Sequence, residues 1–201
     1  MNSRKGKIFT ILASLALIGF VFGGIYIYYH SPVEREEPIP EEIDLEIPFT
    51  SQAPFGDWSY PFSHNCEEAS VLMAHYYLEG KTVIDPASAK KELLDLVEYE
   101  KEKYGFHEDT TAEQTAQLIR DYYGYKVNVS YDVSAEDIKK ELAQGNPVIV
   151  PAAGRLLANP YFTPPGPVYH MLVVKGYNSN RFITNDPGTK RGADYVYSYE
   201  I

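Results

Sequence analysis

The sequence predicts an α+β fold, with helices in the first half of the domain and an antiparallel sheet in the second. Apolar residues recur at helical spacing in residues 68–78, and Gly80 follows as a stop signal. From Pro147 onward, short runs rich in β-branched and aromatic residues alternate with turn residues. No internal repeat interrupts this order. Helices followed by strands are typical of an α+β architecture.

The individual elements follow from local patterns. Residues 43–49 alternate apolar and acidic side chains like a strand, whereas residues 50–63 form a loop rich in Pro, Gly and aromatics. Thr111 and Gln114 have the spacing of a helix cap. We predict helices at Glu68 to Leu78, Pro86 to about Tyr104, Thr111 to Tyr123 and Ser134 to Ala143, and strands at Ile43 to Phe49, Lys126 to Tyr131, Val148 to Pro151, Val168 to Tyr177, Arg181 to Asn185 and Tyr195 to Tyr199.

The N-terminus predicts one transmembrane helix before the domain. Residues 8–29 contain no Asp, Glu, Lys or Arg and are long enough to cross the hydrocarbon layer. Basic residues precede this run and acidic residues follow it, so the positive-inside rule places the domain outside the cytoplasm, at the cell membrane. A cleaved signal peptide is the alternative. Because the run ends in tyrosines and has no small-x-small site, we favour an uncleaved signal anchor.

Four segments result from this interpretation. Residues 1–7 form a basic cytoplasmic N-terminus, and residues 8–29 form the anchor. Residues 30–42 are rich in Pro and Glu and form an extended linker. Residues 43–201 are about the right length for one compact domain with a single core.

Composition excludes several classes of function. The chain has 28 Asp and Glu against 18 Lys and Arg, and a formal net charge of −10. We therefore expect no nucleic acid partner, since phosphate binding needs clustered basic residues. Cys/His clusters with metal-ligand spacing and Gly-rich phosphate loops are missing from the sequence, so no metal or cofactor is predicted.

Cys66 is the single cysteine and a candidate nucleophile. It precedes an apolar helical run, and a position in the first helical turn would favour thiolate through the helix macrodipole. Glu67 and Glu68 would act against this unless their side chains point away. A cationic His170 in contact with the sulfur would outweigh them. The alternative is a small buried apolar residue, as free cysteines commonly are.

His170 is the candidate base. A turn at residues 178–180 separates two predicted strands, so their antiparallel pairing brings His170 close to Asp186. A carboxylate within reach can orient the imidazole, and Asn185 is a rival to Asp186 in this role. The alternative is an ordinary sheet histidine beside an ordinary turn. The other histidines have weaker claims: His30, His64, His75 and His107.

Gln52 is the candidate oxyanion donor. Its amide could donate to the oxygen of a tetrahedral intermediate, with the backbone N–H of Cys66 as the second donor. As an isolated loop residue it could equally contact solvent alone. Trp58 and residues 156–167 could line a cleft for an extended chain, or could be plain loop packing.

These motifs together resemble the papain-like cysteine peptidases of the double-glycine, bacteriocin-processing type, family thirty-nine of the cysteine peptidases. The resemblance covers residues 43–201. It implies a papain-like fold, Cys66 as nucleophile, His170 as general base and acid, Asp186 as orienting group and Gln52 as oxyanion donor. Many members have Gly after the cysteine, where this chain has Glu67. The matching motifs are Gln52-Ala53-Pro54-Phe55, Cys66-Glu67-Glu68-Ala69-Ser70, His170 at the start of an apolar strand, and Asn185-Asp186-Pro187-Gly188.

The sequence therefore predicts a membrane-anchored, extracytoplasmic thiol hydrolase that cleaves a peptide or amide bond through an acyl-enzyme. Its expected partner is a peptide or protein substrate of unspecified sequence, and the oligomeric state stays open. One alternative is an amidase or transferase with the same triad. The other is a non-catalytic papain-like domain that binds peptides or cell-wall components.

Overall fold

Residues 38–200, which the computed structural model describes, form a mixed helical and antiparallel-sheet fold, as the sequence predicts. A π-helical segment, Ile119–Tyr123, directly follows the helix Ala112–Leu118, and 3-10 turns lie at Phe62–His64 and Gly154–Leu157. The helices are α1 (Cys66–Leu78), α2 (Pro86–Lys103), α3 (Ala112–Leu118) and α4 (Ala135–Ala143), and the strands are β1 (Ile43–Asp44), β2 (Val148–Ala153), β3 (Tyr169–Tyr177), β4 (Arg181–Asn185) and β5 (Tyr195–Ser198).

Local side-chain caps fix where three of the helices begin. Asp85 accepts hydrogen bonds from two backbone N–H groups in the first turn of α2. Thr111 and Gln114 form a reciprocal capping box at the start of α3, which confirms the cap predicted there. Ser134 and Asp137 form a second box at α4. By contrast, α1 begins at Cys66 without a side-chain cap.

The central strand of the sheet is β3. It pairs with β1 and β2 on one edge and with β4 on the other, and β5 pairs with β4, all in antiparallel register. His170 lies opposite Ala152 of β2, and Val173 lies opposite Asn185 of β4. A register shift between Val174 and Gly176 interrupts the β3–β4 ladder. The strand that carries His170 is therefore held on both sides.

Alternate residues of β3 supply two separate cores, as expected from the period of two in a strand. Val173 points to the face covered by α1 and α2, where it packs with Leu72 and Leu93. Leu172 and Val174 belong to a second cluster on the other face. The first nine residues of α1 are all buried, so this helix lies within the molecule and holds Cys66 firmly at its N-terminal end.

Two predicted strands differ from the structure. Residues 126–131 form no strand, because no neighbouring strand lies alongside to complete their backbone hydrogen bonds. The first strand covers only Ile43–Asp44 and not residues 43–49, because the backbone N–H of Ile47 turns back to the carbonyl of Leu45 and Pro48 has no N–H to donate to a ladder.

Within the described part of the chain, no helix has the length and apolar character needed to cross a bilayer. The predicted anchor at residues 8–29, the predicted basic segment 1–7 and most of the predicted linker 30–42 lie outside the described residues. They remain predictions.

Candidate active site

His170 and Asp186 form a buried pair. The distance from His170 Nε2 to Asp186 Oδ1 is 2.7 Å, and both side chains are almost fully shielded from solvent. His170 is the second residue of β3, and Asp186 directly follows β4. The ring's other nitrogen, Nδ1, makes no hydrogen bond to residues 38–200. It is therefore the nitrogen that can act on a thiol in the cleft.

Asp186 is held as a carboxylate by several donors. Tyr197 donates its hydroxyl to Oδ2 at 2.6 Å, Asn159 donates Nδ2 to the same oxygen at 3.0 Å, and the backbone N–H of Gly188 donates to Oδ1. Burial alone would raise the pKa of Asp186. The hydrogen bond and charge of His170, together with the hydrogen bonds from Tyr197 and Gly188, lower the pKa overall. An ionised Asp186 accepts only, so Nε2 of His170 carries the proton and Nδ1 is free to act as a base.

Asn185 does not reach His170. Its amide nitrogen donates to the carbonyl of Ile47 at 2.9 Å, and its amide oxygen accepts from the backbone of Asp194. Of the two neighbours that the sequence left as rivals, the geometry pairs Asp186 with the imidazole. Asn185 instead ties β4 to the segment after β1.

Gly188 packs directly against the imidazole. A Cβ atom there would lie 2.7 Å from His170 Cε1 and 3.0 Å from Phe162, closer than side chains tolerate. Phe162 also meets the ring edge-on, with centroids 5.2 Å apart. The glycine in the Asp186-Pro187-Gly188 turn therefore leaves the space that the histidine ring fills.

Cys66 is the first residue of α1 and is 6% exposed. It lines the same cleft as His170 and Gln52. Its Sγ donates to Glu67 Oε2 at 3.0 Å, and the backbone N–H of Met171, the residue after His170, faces the sulfur. The thiol thus lies beside the strand that carries the candidate base.

The thiol of Cys66 is stabilised in its neutral form. Burial raises its pKa well above the usual range, and the charge and hydrogen bond of Glu67 raise it further. The expectation that the start of a helix favours thiolate is therefore wrong for this structure. The reasons are the burial of the thiol and the Glu67 side chain, which points toward the sulfur instead of away from it.

Gln52 is buried in the loop before α1 and lines the cleft. Its amide nitrogen donates one hydrogen to the carbonyl of Phe62 at 2.9 Å, and its backbone N–H donates to the carbonyl of Pro187 at 3.0 Å. An amide NH₂ has two hydrogens, so one is available for a substrate oxygen. The loop of Gln52 is also bound to the turn that carries Asp186.

The cleft has a volume of about 630 Å³ and combines aromatic walls with charges at its rim. Trp58 lines one part, and Tyr161 and Phe162 line another, so the aromatic residues noted in the sequence do face the cleft. Lys190 and Arg191 also lie along it, and the guanidinium of Arg191 covers the ring of Tyr161 at 4.9 Å. Asp186 lies behind His170, outside the cleft lining.

A buried acidic cluster lies behind Cys66 and could not be identified from the sequence. Glu68 and Glu100 are almost completely buried and interact with each other, and within residues 38–200 no other donor makes a well-aligned hydrogen bond to their carboxyl oxygens. His107, which has a weak claim as a catalytic base from the sequence, is 2% exposed, with Nδ1 3.4 Å from Glu68 Oε1. Burial and then the neighbouring Glu68 raise the pKa of Glu100 to about 10, so the carboxyl is neutral at pH 7.

Across residues 38–200, no group of His, Cys, Asp or Glu side chains is arranged to hold a metal ion.

Comparison with known proteins assigns the chain to a family. The model of the peptidase C39-like family matches residues 44–201, and the chain belongs to that family. A crystal structure of a presumed C39-like peptidase from Bacillus anthracis has a similar fold. The TM-score is 0.52 at 20% sequence identity, over 79% of this chain and 88% of that one. No curated protein sequence matches the chain. Family membership supports cysteine peptidase activity in general and implies a peptide substrate.

Proposed function

We propose that the chain is a membrane-anchored, extracytoplasmic thiol hydrolase that cleaves a peptide or related amide bond with Cys66, His170, Asp186 and Gln52. The observation that carries the proposal is the 2.7 Å pair of His170 and Asp186, whose imidazole lines the same cleft as Cys66. Membership of the peptidase C39-like family supports it. A papain-like arrangement, with the thiol on a helix and the imidazole on a sheet, agrees with both.

Each step follows from the positions of the groups. His170 Nδ1 takes the proton of the Cys66 thiol as Sγ attacks the carbonyl carbon, and the carbonyl oxygen becomes an oxyanion. Gln52 and the backbone N–H of Cys66 donate to that oxyanion. The imidazolium then gives its proton to the leaving amine, and the C–N bond breaks to leave a thioester. Water, deprotonated by His170, attacks the thioester, and the thiol leaves with the proton that His170 returns.

Because the thiol is neutral at rest, proton transfer accompanies attack, and no preformed thiolate–imidazolium pair is required. Asp186 stays ionised throughout and stabilises the imidazolium that forms. This sequence of events needs neither metal nor cofactor.

The test uses two substrates with the full-length chain. p-Nitrophenyl acetate is a small activated ester that needs little recognition, and it should give a burst of nitrophenol and an acetyl group on Cys66, detected by mass spectrometry. A mixed peptide library should give cleavage products. Cys66→Ala should abolish both reactions, and Asp186→Asn should slow them by roughly 10³–10⁴-fold, since the wrong tautomer of His170 is then favoured. Absence of both acylation and cleavage would leave a non-catalytic binding domain as the better account.

The cleavage products also separate the enzyme alternatives. Hydrolysis gives a free carboxylate, whereas a transferase gives a new amide when an amine is supplied. Topology is tested separately, by fusing alkaline phosphatase after residue 201, because that enzyme is active only outside the cytoplasm. An inactive fusion would contradict the proposed orientation. The mass of the mature chain shows whether residues 1–29 are retained, as an anchor requires.

A further inference from the structure

Glu67 connects the thiol to a loop on the other side of the site. One carboxylate oxygen, Oε2, accepts from Cys66 Sγ at 3.0 Å, and the other, Oε1, accepts from the backbone N–H of Thr110 at 2.7 Å. The side chain is 1% exposed. A buried carboxylate that uses each oxygen on a different partner has little freedom to move, so it fixes both of them.

The connection extends to the strand that carries the candidate base. Tyr169 donates its hydroxyl to the carbonyl of Thr110, and Tyr169 directly precedes His170 in β3. Thr110 is therefore bound by Glu67 through its N–H and by Tyr169 through its C=O. The thiol, the loop at residues 105–111 and the start of β3 are held in one network.

The hydrogen bond also sets the direction of the thiol proton. The S–H bond points toward Oε2 of Glu67. Burial raises the pKa of Glu67, whereas the hydrogen bonds from Cys66 and Thr110 act to lower it and favour the carboxylate, which can only accept. The other charged or titratable groups that face this region are Glu68 on α1, Glu100 and Lys101 on α2, His107 and Asp109 on the loop, and Tyr169 and His170 on β3. Among the carboxylates, Glu67 is the one in contact with the sulfur.

We propose that Glu67 is a positioning residue of this site, which holds the proton of the Cys66 thiol and keeps the nucleophile neutral until His170 removes that proton during attack. The inference rests on the proposed function for the role of His170. The contact with Glu67 stands independently of any substrate. Residue 67 thereby controls the fraction of thiolate, and with it the reactivity of Cys66 toward reagents that are not substrates.

Glu67→Gln tests the proposal with little change in shape. The glutamine keeps an oxygen for the N–H of Thr110 and presents an NH₂ group to the sulfur, so it removes the charge and reverses the hydrogen bond. We expect a lower alkylation pKa for Cys66, and iodoacetamide alkylation at pH 7 faster by about ten-fold, the effect of one pKa unit. Cys66 is the single cysteine in the full-length chain, so the label reports one site.

Glu68→Gln is the matched control. Glu68 is adjacent and equally buried but makes no hydrogen bond to the sulfur. Burial, with the charge of Glu67, raises the pKa of Glu68 well above its usual range, which favours its neutral form. Glu68 raises the pKa of Cys66 less than Glu67 does, so its replacement should increase the alkylation rate less than Glu67→Gln does. An unchanged or slower rate in Glu67→Gln, or an equal increase in Glu68→Gln, would overturn the proposal.

A spectroscopic measurement keeps the proposal testable if Glu67→Gln does not fold. The infrared S–H stretching band of the wild-type chain comes from Cys66 alone. It should persist at pH 8 and lie at the lower frequency of a hydrogen-bonded thiol. Loss of the band at pH 7, which would mean thiolate, overturns the proposal without any variant.

These readouts also separate this proposal from the proposed function. Faster alkylation of Glu67→Gln together with no acyl-enzyme would support the thiol contact and reject the hydrolase. An acyl-enzyme in the wild type together with unchanged alkylation in Glu67→Gln would support the hydrolase and reject the role of Glu67.

Discussion

Tyr197 donates its hydroxyl to Oδ2 of Asp186 at 2.6 Å, and His170 binds the other oxygen of the same carboxylate. The two contacts lie on opposite sides of a group that is fully buried. A buried carboxylate is costly unless it is paired and hydrogen-bonded. Tyr197, from the last strand, therefore helps to keep Asp186 ionised and its second oxygen free for the imidazole.

Tyr197→Phe should move the acid limb of activity to higher pH. The pKa of Asp186 lies below its usual value, so the group stays ionised as the pH falls; loss of one donor raises that pKa and protonates Asp186 sooner. The pH profile of acylation by p-nitrophenyl acetate measures this. At pH 5 we expect a rate up to about two-fold lower, because the lost hydrogen bond to a charged group is worth roughly 1.5 kcal/mol, about one pKa unit, while Asn159 still donates.

Tyr195→Phe is the control for that prediction. Tyr195 lies two residues away on the same strand, and its hydroxyl does not bond to Asp186. An acid limb that moves equally in both variants would show that β5 is generally loosened and that Tyr197 has no specific role.

Gly188→Ala should displace the imidazole of His170. The added methyl group would lie 2.7 Å from Cε1 and 3.1 Å from Nε2, so the ring or the turn must move. We expect acylation of Cys66 to fall by roughly 10²-fold or more, since small displacements of catalytic groups have effects of that size. Crystallography of the variant should show a moved ring. Full activity with an unmoved ring would show that the turn yields instead.

Gln52→Ala should slow acylation while leaving alkylation almost unchanged. Acyl transfer passes through an oxyanion, and the loss of one donor costs about 10²–10³-fold in rate. Alkylation by iodoacetamide forms no such oxyanion. Ser51→Ala is the control, because Ser51 binds the carbonyl of Pro187 but does not line the cleft. Equal losses in both reactions of Gln52→Ala would indicate a collapsed loop and no oxyanion role.

Glu100→Gln should stabilise the fold at pH 8 and have little effect near pH 4. The pKa of Glu100 is about 10 in the folded chain against 4.5 ordinarily, mainly because of burial and then because of Glu68. The native state therefore binds a proton that the unfolded state releases, and stability falls as the pH rises from 4.5 toward 10. Thermal unfolding should show a higher Tm at pH 8, by roughly 2–4 °C for each kcal/mol gained.

The matched control for Glu100→Gln is Glu98→Gln, an exposed residue on the same helix. It should leave Tm nearly unchanged at both pH values. A Tm for Glu100→Gln that falls at pH 8 would show that its carboxyl is ionised and stabilising in the folded chain.

The approach of His170 to the turn after β4 could be predicted, because a short turn joins the two strands and fixes their pairing. The sequence could not predict which of the two neighbours, Asn185 or Asp186, faces the imidazole ring. The register shift between Val174 and Gly176 changes the alternation of faces along the ladder, and that shift depends on the packing of β1 over Gly176.

The contacts of Glu67 and Tyr197 could not be predicted from the sequence either. Because α1 is buried on all sides at its start, no apolar stripe shows which way Glu67 points. Tyr197 binds Asp186 across the turn between β4 and β5, and no spacing in the sequence indicates that contact. The strand predicted at residues 126–131 failed for a related reason, since a β-rich run becomes a strand only beside a free partner edge.

The loop of Gln52 is bound to the turn of Asp186 by contacts that include Ser51 and Pro187, 136 residues apart in the chain. A contact of such sequence separation forms late, when most of the chain is available. During synthesis Cys66 is therefore made about a hundred residues before His170 and Asp186. The order of the chain brings the groups of the candidate site together only when the domain is nearly complete.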